Sequence, residues 1–283
     1  MKRGPVPAAL LTLVAFAFST LAVTVPAAAH PHGEPLILGL APQQDPAKVY
    51  KMMQPFVQYL EREVGYKFTF ETAPSIEEFQ RRVLDGRYDL WWGNPLTYVQ
   101  ASRTIGYVAI ARDTTRIAGL LVTRKDGPGA AKDLTGKKVA FSAPDAIGGT
   151  LLVRDYLIAN GVPSDGIKIV YTGTHDSAYR AVIDGHADAA GGVPRSFNAL
   201  EAADRERLQV IARTVEVAPQ PFAVHPRLYR PWVVKIQRAL VKLNWVPEGK
   251  DILNTMQFKE IVVSNDVDYD FHRELAKRLR IAF

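Results

Sequence analysis

Short apolar segments alternate with amphipathic helical patterns along most of the sequence, and this alternation limits the fold more than any other feature. Leu36–Leu40 is typical of a buried strand. The residues after it carry apolar side chains at three-to-four spacing, which predicts a helix from Pro46 to Gly65. The same succession continues to a strand at Leu208–Arg213. Strands separated by helices predict an α/β fold with mostly parallel sheets and helices on both faces.

The alternation yields about nine strands in two similar sets, followed by a mostly helical C-terminal part. The expected strands are residues 36–40, 67–71, 88–92, 107–111, 118–124, 138–142, 167–171, 187–191 and 208–213. Two such sets indicate two lobes, each with its own sheet. Lobes of this kind bind ligands at the carboxyl ends of their strands and between each other.

One stretch of the first set is echoed in the second. Residues 83–90 and residues 182–189 both predict the end of a helix, an Asp-Gly turn and the start of a strand. Each stretch delivers a strand whose end faces the expected cleft. Two α/β lobes can use the same turn chemistry independently, so a shared turn and an internal repeat both remain open.

The N-terminus has the layout of a secretory signal peptide. Lys2 and Arg3 precede an apolar run at residues 8–25, and a small-residue segment ends at Ala29. The alternative is a membrane anchor, because a run of about eighteen residues is near the lower limit for a bilayer span. The polar residues 30–32 favour cleavage near Ala29, which predicts export to the periplasm.

Composition excludes several classes of function. The chain has no cysteine, which excludes disulfides, thiolate metal sites and cysteine nucleophiles. Its net charge of +6 is scattered without basic runs, so we expect no nucleic-acid partner. The sequence shows no Ser-His-Asp order, metal cluster or phosphate-binding glycine loop of the Walker type. We therefore expect a protein that is not an enzyme and that needs no cofactor or metal.

Several motifs resemble a known family in their sequence and in their order. The matching segments are residues 38–40, 88–98, 132–141, 173–176 and 182–188. Together they resemble the periplasmic substrate-binding proteins of phosphate, phosphite and phosphonate ABC transporters, the phosphonate-binding-protein-like group. The resemblance implies a type-II periplasmic binding protein fold, in which two lobes close on a ligand by a hinge motion.

The resemblance also implies the domain organisation and the partners. A signal peptide at residues 1–29 would precede a discontinuous first lobe, residues 30–117 and 216–283, and a second lobe at residues 118–215. The implied function is capture of a small oxyanion, such as phosphate, phosphite or a phosphonate, by a monomer that delivers it to a permease in the inner membrane. The alternative is a periplasmic ligand-sensing subunit of a membrane signalling system with the same fold.

The family binds its anion on a loop at the start of a helix, and residues 144–150 match that loop. The match lacks the family's hydroxyl side chains, although Thr150 could restore one. Gly148 and Gly149 would let the backbone approach an anion closely, and free amides at a helix start attract negative charge. The alternative is a plain turn between a strand and a helix.

Further ligand contacts follow from the same resemblance. His175 matches the ligand-facing histidine of the family, and Trp92 falls where the family often places an aromatic contact. Asn94 and Thr97, at the start of the next helix, could donate hydrogen bonds to an anion. A structural role for His175 near the start of its helix is the alternative.

Arg195 carries the expectation about ligand charge. It aligns with an acidic residue of the aminoalkylphosphonate-binding members, and Gln220 stands near where another acidic residue would be expected. An arginine would repel an amine and would bind an oxyanion through two hydrogen bonds. The resemblance therefore implies a ligand without a cationic group. The alternative is that Arg195 is a solvated residue at a helix start.

Overall fold

The computed structural model describes residues 33–42 and 46–282, which form two sheets flanked by helices. The strands are β1 Leu36–Leu40, β2 Phe68–Glu71, β3 Leu90–Trp92, β4 Val108–Asp113, β5 Leu120–Arg124, β6 Lys138–Phe141, β7 Lys168–Tyr171, β8 Ala189–Gly192, β9 Leu208–Arg213, β10 Pro221–Val224 and β11 Ile261–Val263. The α-helices are α1 Pro46–Val64, α2 Ile76–Leu84, α3 Pro95–Thr104, α4 Val153–Ala159, α5 His175–Ile183, α6 Pro194–Asn198, α7 Ala202–Glu206, α8 Arg230–Lys242, α9 Gly249–Met256 and α10 Asp270–Arg278. A π-helical turn, Ile147–Leu152, leads directly into α4.

The expected signal peptide, residues 1–29, lies outside the described residues. Among the residues that are described, no helix combines the length and the apolar character that a bilayer crossing requires.

The strands form two sheets, which confirms the two-lobed α/β architecture. The first has the order β11-β4-β10-β3-β1-β2 and the second the order β7-β6-β8-β5-β9. Four of the six strands of the first sheet and four of the five of the second point in one direction, so the sheets are mostly parallel as expected, with antiparallel exceptions. In the first sheet β10 and β11 run antiparallel to their neighbours, and in the second β5 runs antiparallel to β8 and β9.

The two crossings between the lobes explain the reversed directions of β5 and β10. The parallel strands β3 and β8 end at the cleft, whereas β5 and β10 enter their sheets from the other lobe and therefore start there. Leu120 at the start of β5 pairs with Gly192 at the end of β8, and Phe222 near the start of β10 pairs with Trp92 at the end of β3. A strand that starts where its neighbours end must run antiparallel to them.

The crossings lie side by side. The Ile117 N–H donates to the Val217 carbonyl at 3.0 Å, and the Val217 N–H donates to the Ile117 carbonyl at 2.9 Å. Nearby, the Gly119 N–H donates to Thr214 Oγ1 at 2.8 Å. These contacts lie beside the two lobe boundaries expected from the resemblance, after residue 117 and after residue 215. We accordingly propose residues 30–117 with 216–283 as one lobe and residues 118–215 as the other.

An apolar cluster joins the lobes beside the crossings. Leu96 and Leu275 from the first lobe pack with Ile147 and Leu151 at the start of the second lobe's helix. At the edge of this cluster, the Arg278 guanidinium on α10 donates two hydrogen bonds to the Asp155 carboxylate on α4, at 2.6 and 2.9 Å. Helix α10 therefore contacts both lobes.

The sequence echo corresponds to the same local structure in both lobes. Asp89 Oδ2 accepts a hydrogen bond from the Ile37 N–H at 2.8 Å, and Asp188 Oδ2 accepts one from the Lys138 N–H at 2.8 Å. In each sheet, this carboxylate ties the strand after the Asp-Gly turn to the first parallel strand. The two segments thus position β3 and β8, whose ends lie beside the cleft, in the same way.

Candidate functional site: a cleft between the lobes

A cleft of about 420 Å³ lies between the lobes at the carboxyl ends of β1, β3, β6 and β8. The first lobe and the hinge line it with Ala41, Pro42, Ile76, Trp92, Gly93, Asn94, Pro95, Ile117 and Gln220. The second lobe lines it with Ala143, Asp145, Ala146, Ile147, Gly148, His175 and Val193. This is the place at which α/β lobes bind ligands.

The start of the π-helical turn faces this cleft. The Ala146 carbonyl accepts hydrogen bonds from both the Thr150 and the Leu151 N–H groups, each at 3.0 Å, which sets the wide first turn. The N–H groups of Ile147 and Gly148 come before the first donors of the helix, so they have no acceptor within it. Both residues line the cleft, and their amides therefore form a positively polarised helix start beside it.

The two glycines of this turn are required by packing against the protein itself. A Cβ on Gly148 would lie 2.7 Å from Val193 Cγ1 and 3.0 Å from the Ala118 carbonyl oxygen. A Cβ on Gly149 would lie 2.5 Å from His175 Cε1. Gly148 lines the cleft and Gly149 does not. The alternative of a tightly packed turn between strand and helix thus accounts for Gly149 without a ligand.

Thr150 does not supply a hydroxyl to the cleft. The residue is fully buried, and its Oγ1 donates to the Ala143 carbonyl at 2.7 Å. This bond spans the turn that begins the helix, because Ala143 comes before the Ala146 carbonyl and Thr150 comes after it. The expected anion-binding hydroxyl is therefore used within the protein.

His175 is the first residue of α5, next to the N-cap Thr174, and its side chain lines the cleft. Its Nδ1 is buried and has no hydrogen-bond partner in the described chain. Burial holds the pKa of the imidazole below its ordinary value, while the Asp176 carboxylate and the Gly191 backbone oppose this effect. The ring is therefore predominantly neutral near pH 7, and a neutral imidazole can present one N–H to a ligand.

Trp92 closes the cleft from the first lobe. Its side chain is 8% exposed, its ring centroid lies 5.4 Å from that of Phe258, and its Nε1 has no partner in the described chain. Trp91 packs on the opposite face of the sheet and is fully buried. This opposite orientation follows from the alternation of side chains along a strand, as expected from the sequence.

Asn94 reaches from the first lobe toward the second. Its Oδ1 accepts from the Leu96 N–H at 2.8 Å and caps α3, and its Nδ2 donates to the Asp145 carbonyl at 3.4 Å. Thr97, in the first turn of the same helix, is buried and does not line the cleft. The helix start thus contributes Asn94 to the cleft but not Thr97.

Arg195 lies at the surface rather than in the lining of the cleft. Its Nη1 donates to Oε1 of Gln257, a first-lobe residue, at 2.6 Å. Gln220 does line the cleft. The lining contains no lysine or arginine among the described residues, and Asp145 is its one carboxylate. The cationic clamp expected from the sequence is therefore absent from this surface.

Ile76 is the lining residue that the sequence could have indicated. It follows the N-cap Ser75 of α2, as His175 follows the N-cap Thr174 of α5, and both side chains line the cleft. Extending the register of the echo seven residues upstream, from residues 83 and 182 to residues 76 and 175, pairs these two positions. The lining residues Ala41, Pro42, Ile117 and Val193 have no comparable motif.

The cleft can form neutral hydrogen bonds and apolar contacts. Trp92 and Asn94 line it from the first lobe, and Gly148 and His175 line it from the second; Trp92 Nε1 and His175 Nδ1 have no partner in the described chain. Neutral N–H groups can bind an oxyanion when water is excluded. Most of the remaining lining is apolar.

Comparison with known proteins gives a consistent set of relatives. Residues 38–269 match the family of phosphonate ABC transporter periplasmic substrate-binding proteins. The phosphate-import protein PhnD of Mycolicibacterium smegmatis is 26% identical over 173 residues, which span 55% of this chain and about half, 54%, of that protein. The phosphonates-binding periplasmic protein of Escherichia coli is 22% identical over 273 residues, covering 92% of this chain and 81% of that protein.

A solved structure shows the same fold. The structure of PhnD1 from Prochlorococcus marinus in complex with methylphosphonate aligns with a TM-score of 0.71 at 18% identity, covering 87% of this chain and 98% of that one. The relatives named here are binding or import proteins rather than enzymes, and their family acts in the periplasm. With its type-II architecture and a family match that runs from β1 to the start of α10, the chain belongs to the periplasmic substrate-binding proteins of phosphonate ABC transporters.

Proposed function

We propose that the protein captures a small phosphorus oxyanion (phosphate, phosphite or a phosphonate) in the cleft between its lobes and delivers it to an inner-membrane permease. One observation carries the proposal. Trp92 Nε1 of the first lobe and His175 Nδ1 of the second are both buried without a partner, and both side chains line the same cleft.

A buried polar group without a partner destabilises a protein by about 1–3 kcal/mol relative to one that is hydrogen-bonded. An oxyanion between the lobes would provide acceptors for Trp92 and for the Gly148 amide, and for His175 in the tautomer that carries the proton on Nδ1. Because these donors come from both lobes, a ligand that binds them all favours the arrangement in which the lobes are close together.

The first test is a thermal unfolding screen of the mature protein with phosphate, phosphite, methylphosphonate, sulfate and methanesulfonate. A ligand at a thousand times its Kd stabilises the native state by about 4 kcal/mol, and the melting temperature should rise accordingly. We expect a rise with at least one phosphorus oxyanion. The absence of any rise with all three would refute the proposed ligand class.

The second test uses Trp92 as a reporter at the proposed contact. Binding should change the tryptophan fluorescence of the protein, and Trp92→Phe should remove most of that change and weaken binding. Trp245→Phe is the matched control, because Trp245 is 74% exposed and does not line the cleft. An equal ligand response in wild type and Trp92→Phe would remove Trp92 from the site.

Export and assembly are part of the same proposal. Mass spectrometry of the protein from the periplasm should find a chain that begins near His30 if the signal peptide is cleaved after Ala29. Sedimentation of the ligand-bound protein should give the mass of a monomer. A membrane-bound full-length chain would contradict the cleavage, and a stable dimer would contradict the proposed monomeric state.

A further inference from the structure

An apolar annex adjoins the cleft on the first-lobe side. It is a space of about 50 Å³ between β1, α1 and α9, and its walls include Leu40, Val49, Met52, Met53 and Met256. All the methionines of the chain except Met1 line it. Methionine is a flexible, polarisable side chain that adapts to apolar groups of different shapes.

The annex and the cleft share part of their lining. Ala41 and Trp92 line both spaces, so the Trp92 side chain borders both the proposed oxyanion site and the annex. On its far side the annex meets a groove of about 330 Å³ between α1 and α9, which shares Met52, Met53 and Met256 with it.

Charge is absent from the annex. No lysine, arginine, aspartate or glutamate of the described chain lines it, and its polar residues are Thr255 and Gln257. Charged side chains occur only in the groove beyond, where Arg62 is hydrogen-bonded to Glu248. A cationic substituent would lose its hydration in the annex without gaining a carboxylate partner.

The two lobes also offer different chemistry to a ligand. At the first helical position after the N-cap, the second lobe has His175 and the first lobe has Ile76, which is 48% exposed. The helix-start amides that line the cleft at Ile147 and Gly148 belong to the second lobe. An oxyanion would therefore orient toward the second lobe and a carbon substituent toward the first.

From these observations we infer that the annex is a subsite for an uncharged alkyl substituent, and that the preferred ligand is an alkyl-substituted oxyanion rather than phosphate itself or an aminoalkyl compound. This inference rests on the proposed oxyanion function. It assigns Trp92, Met53 and Met256 to the recognition of the substituent.

The test is calorimetric titration of the mature protein with phosphate and with methyl-, ethyl-, propyl- and butylphosphonate. Each methylene that enters the annex should raise affinity about fourfold, and because a space of about 50 Å³ holds about two such groups, the gain should level off near roughly sixteenfold over methyl. The compound 3-aminopropylphosphonate has nearly the length of butylphosphonate and should bind at least about a hundredfold more weakly, because its ammonium would be desolvated.

The variant Met256→Gln should reduce the ratio of butyl to methyl affinity about tenfold, since it places an amide in the annex wall. Val267→Gln is the control and should leave that ratio unchanged, because Val267 is exposed and outside the annex. Flat or falling affinity from methyl to butyl, or tighter binding of the aminopropyl compound, would overturn the annex while leaving the proposed oxyanion function in place. Failure of phosphate and every phosphonate to bind would overturn both.

Discussion

His272 should make the protein less stable in acid, because its imidazole is fully buried and can accept a proton only at a cost. It lies in α10 with its ring centroid 5.5 Å from that of Tyr269, and neither ring nitrogen has a hydrogen-bond partner in the described chain. Burial lowers the pKa of His272 from 6.5 to about 4; the Ala218 backbone partly offsets this, and the Arg116 and Arg273 guanidinium groups add to it.

The size of the effect follows from that shift. A histidine whose pKa is lower in the folded than in the unfolded protein binds protons more weakly when folded. The free energy of unfolding therefore decreases as the pH falls from 6.5 toward 4. The shift of His272 to about 4 corresponds to a loss of about 2 kcal/mol between pH 7 and pH 5 and about 3 kcal/mol by pH 4.

The assay is urea unfolding of wild type and His272→Phe at a series of pH values from 7 to 4. The phenylalanine keeps an aromatic ring in the same space and removes the titration. Its stability relative to wild type should increase by about 2 kcal/mol between pH 7 and pH 5. Tyr269→Phe is the matched control: it loses the bond from the Tyr269 hydroxyl to the Pro219 carbonyl, 3.1 Å long, at every pH. Parallel curves for wild type and His272→Phe would refute the reasoning.

Three further predictions concern the framework of the site. Asp89→Ala should destabilise the protein by about 3 kcal/mol in urea unfolding, because this carboxylate is fully buried and is also paired with the Arg227 guanidinium. Asp188→Ala should cost only about 1 kcal/mol, since it removes the equivalent hydrogen bond alone. Equal losses for the two variants would contradict this. Gly149→Ala should cost about 1–3 kcal/mol in the same assay because the added methyl overlaps an imidazole carbon, and an unchanged stability would show that the turn can relax. Arg195→Ala and Gln257→Ala should each change oxyanion affinity by less than about fivefold, because they remove the same exposed bond; a large loss for Arg195→Ala alone would instead make it a ligand contact.

Local sequence patterns were sufficient for most of the fold. Helix α5 begins at His175 and ends at Ile183, just before the Asp-Gly turn expected within residues 182–189, because a capping threonine and that turn define both ends within the chain itself. Strands β10 and β11 were missed. Each has only three or four residues and depends on pairing with β4, which is more than a hundred residues earlier in the chain. Their order in the sheet is set by the crossings between the lobes, which a local pattern does not encode.

In the candidate site, too, local sequence predicted the position of some residues but not the hydrogen-bond partners of others. Trp92, Asn94 and His175 reach the cleft because each stands at the end of a strand or the start of a helix, where the backbone alone directs the side chain. Thr150 and Arg195 have partners that their residue types do not specify: the Ala143 carbonyl, seven residues earlier, in one case and Gln257 of the other lobe in the other. The residue type at a helix start therefore predicted which hydrogen bonds a side chain can form, but not the partner with which it forms them.

The echo between the lobes explains why the cleft has two unlike sides. Equivalent carboxylates and equivalent caps bring β3 with α2 and β8 with α5 to the cleft in the same way, so any difference in chemistry must come from the residues carried at equivalent places. Ile76 of the first lobe occupies the position that His175 occupies in the second. A repeated framework with different side chains thus provides an imidazole on the second-lobe side of the cleft and an aliphatic side chain at the equivalent place of the first lobe. A ligand with an anionic end and an uncharged carbon end fits that division better than one that is polar throughout.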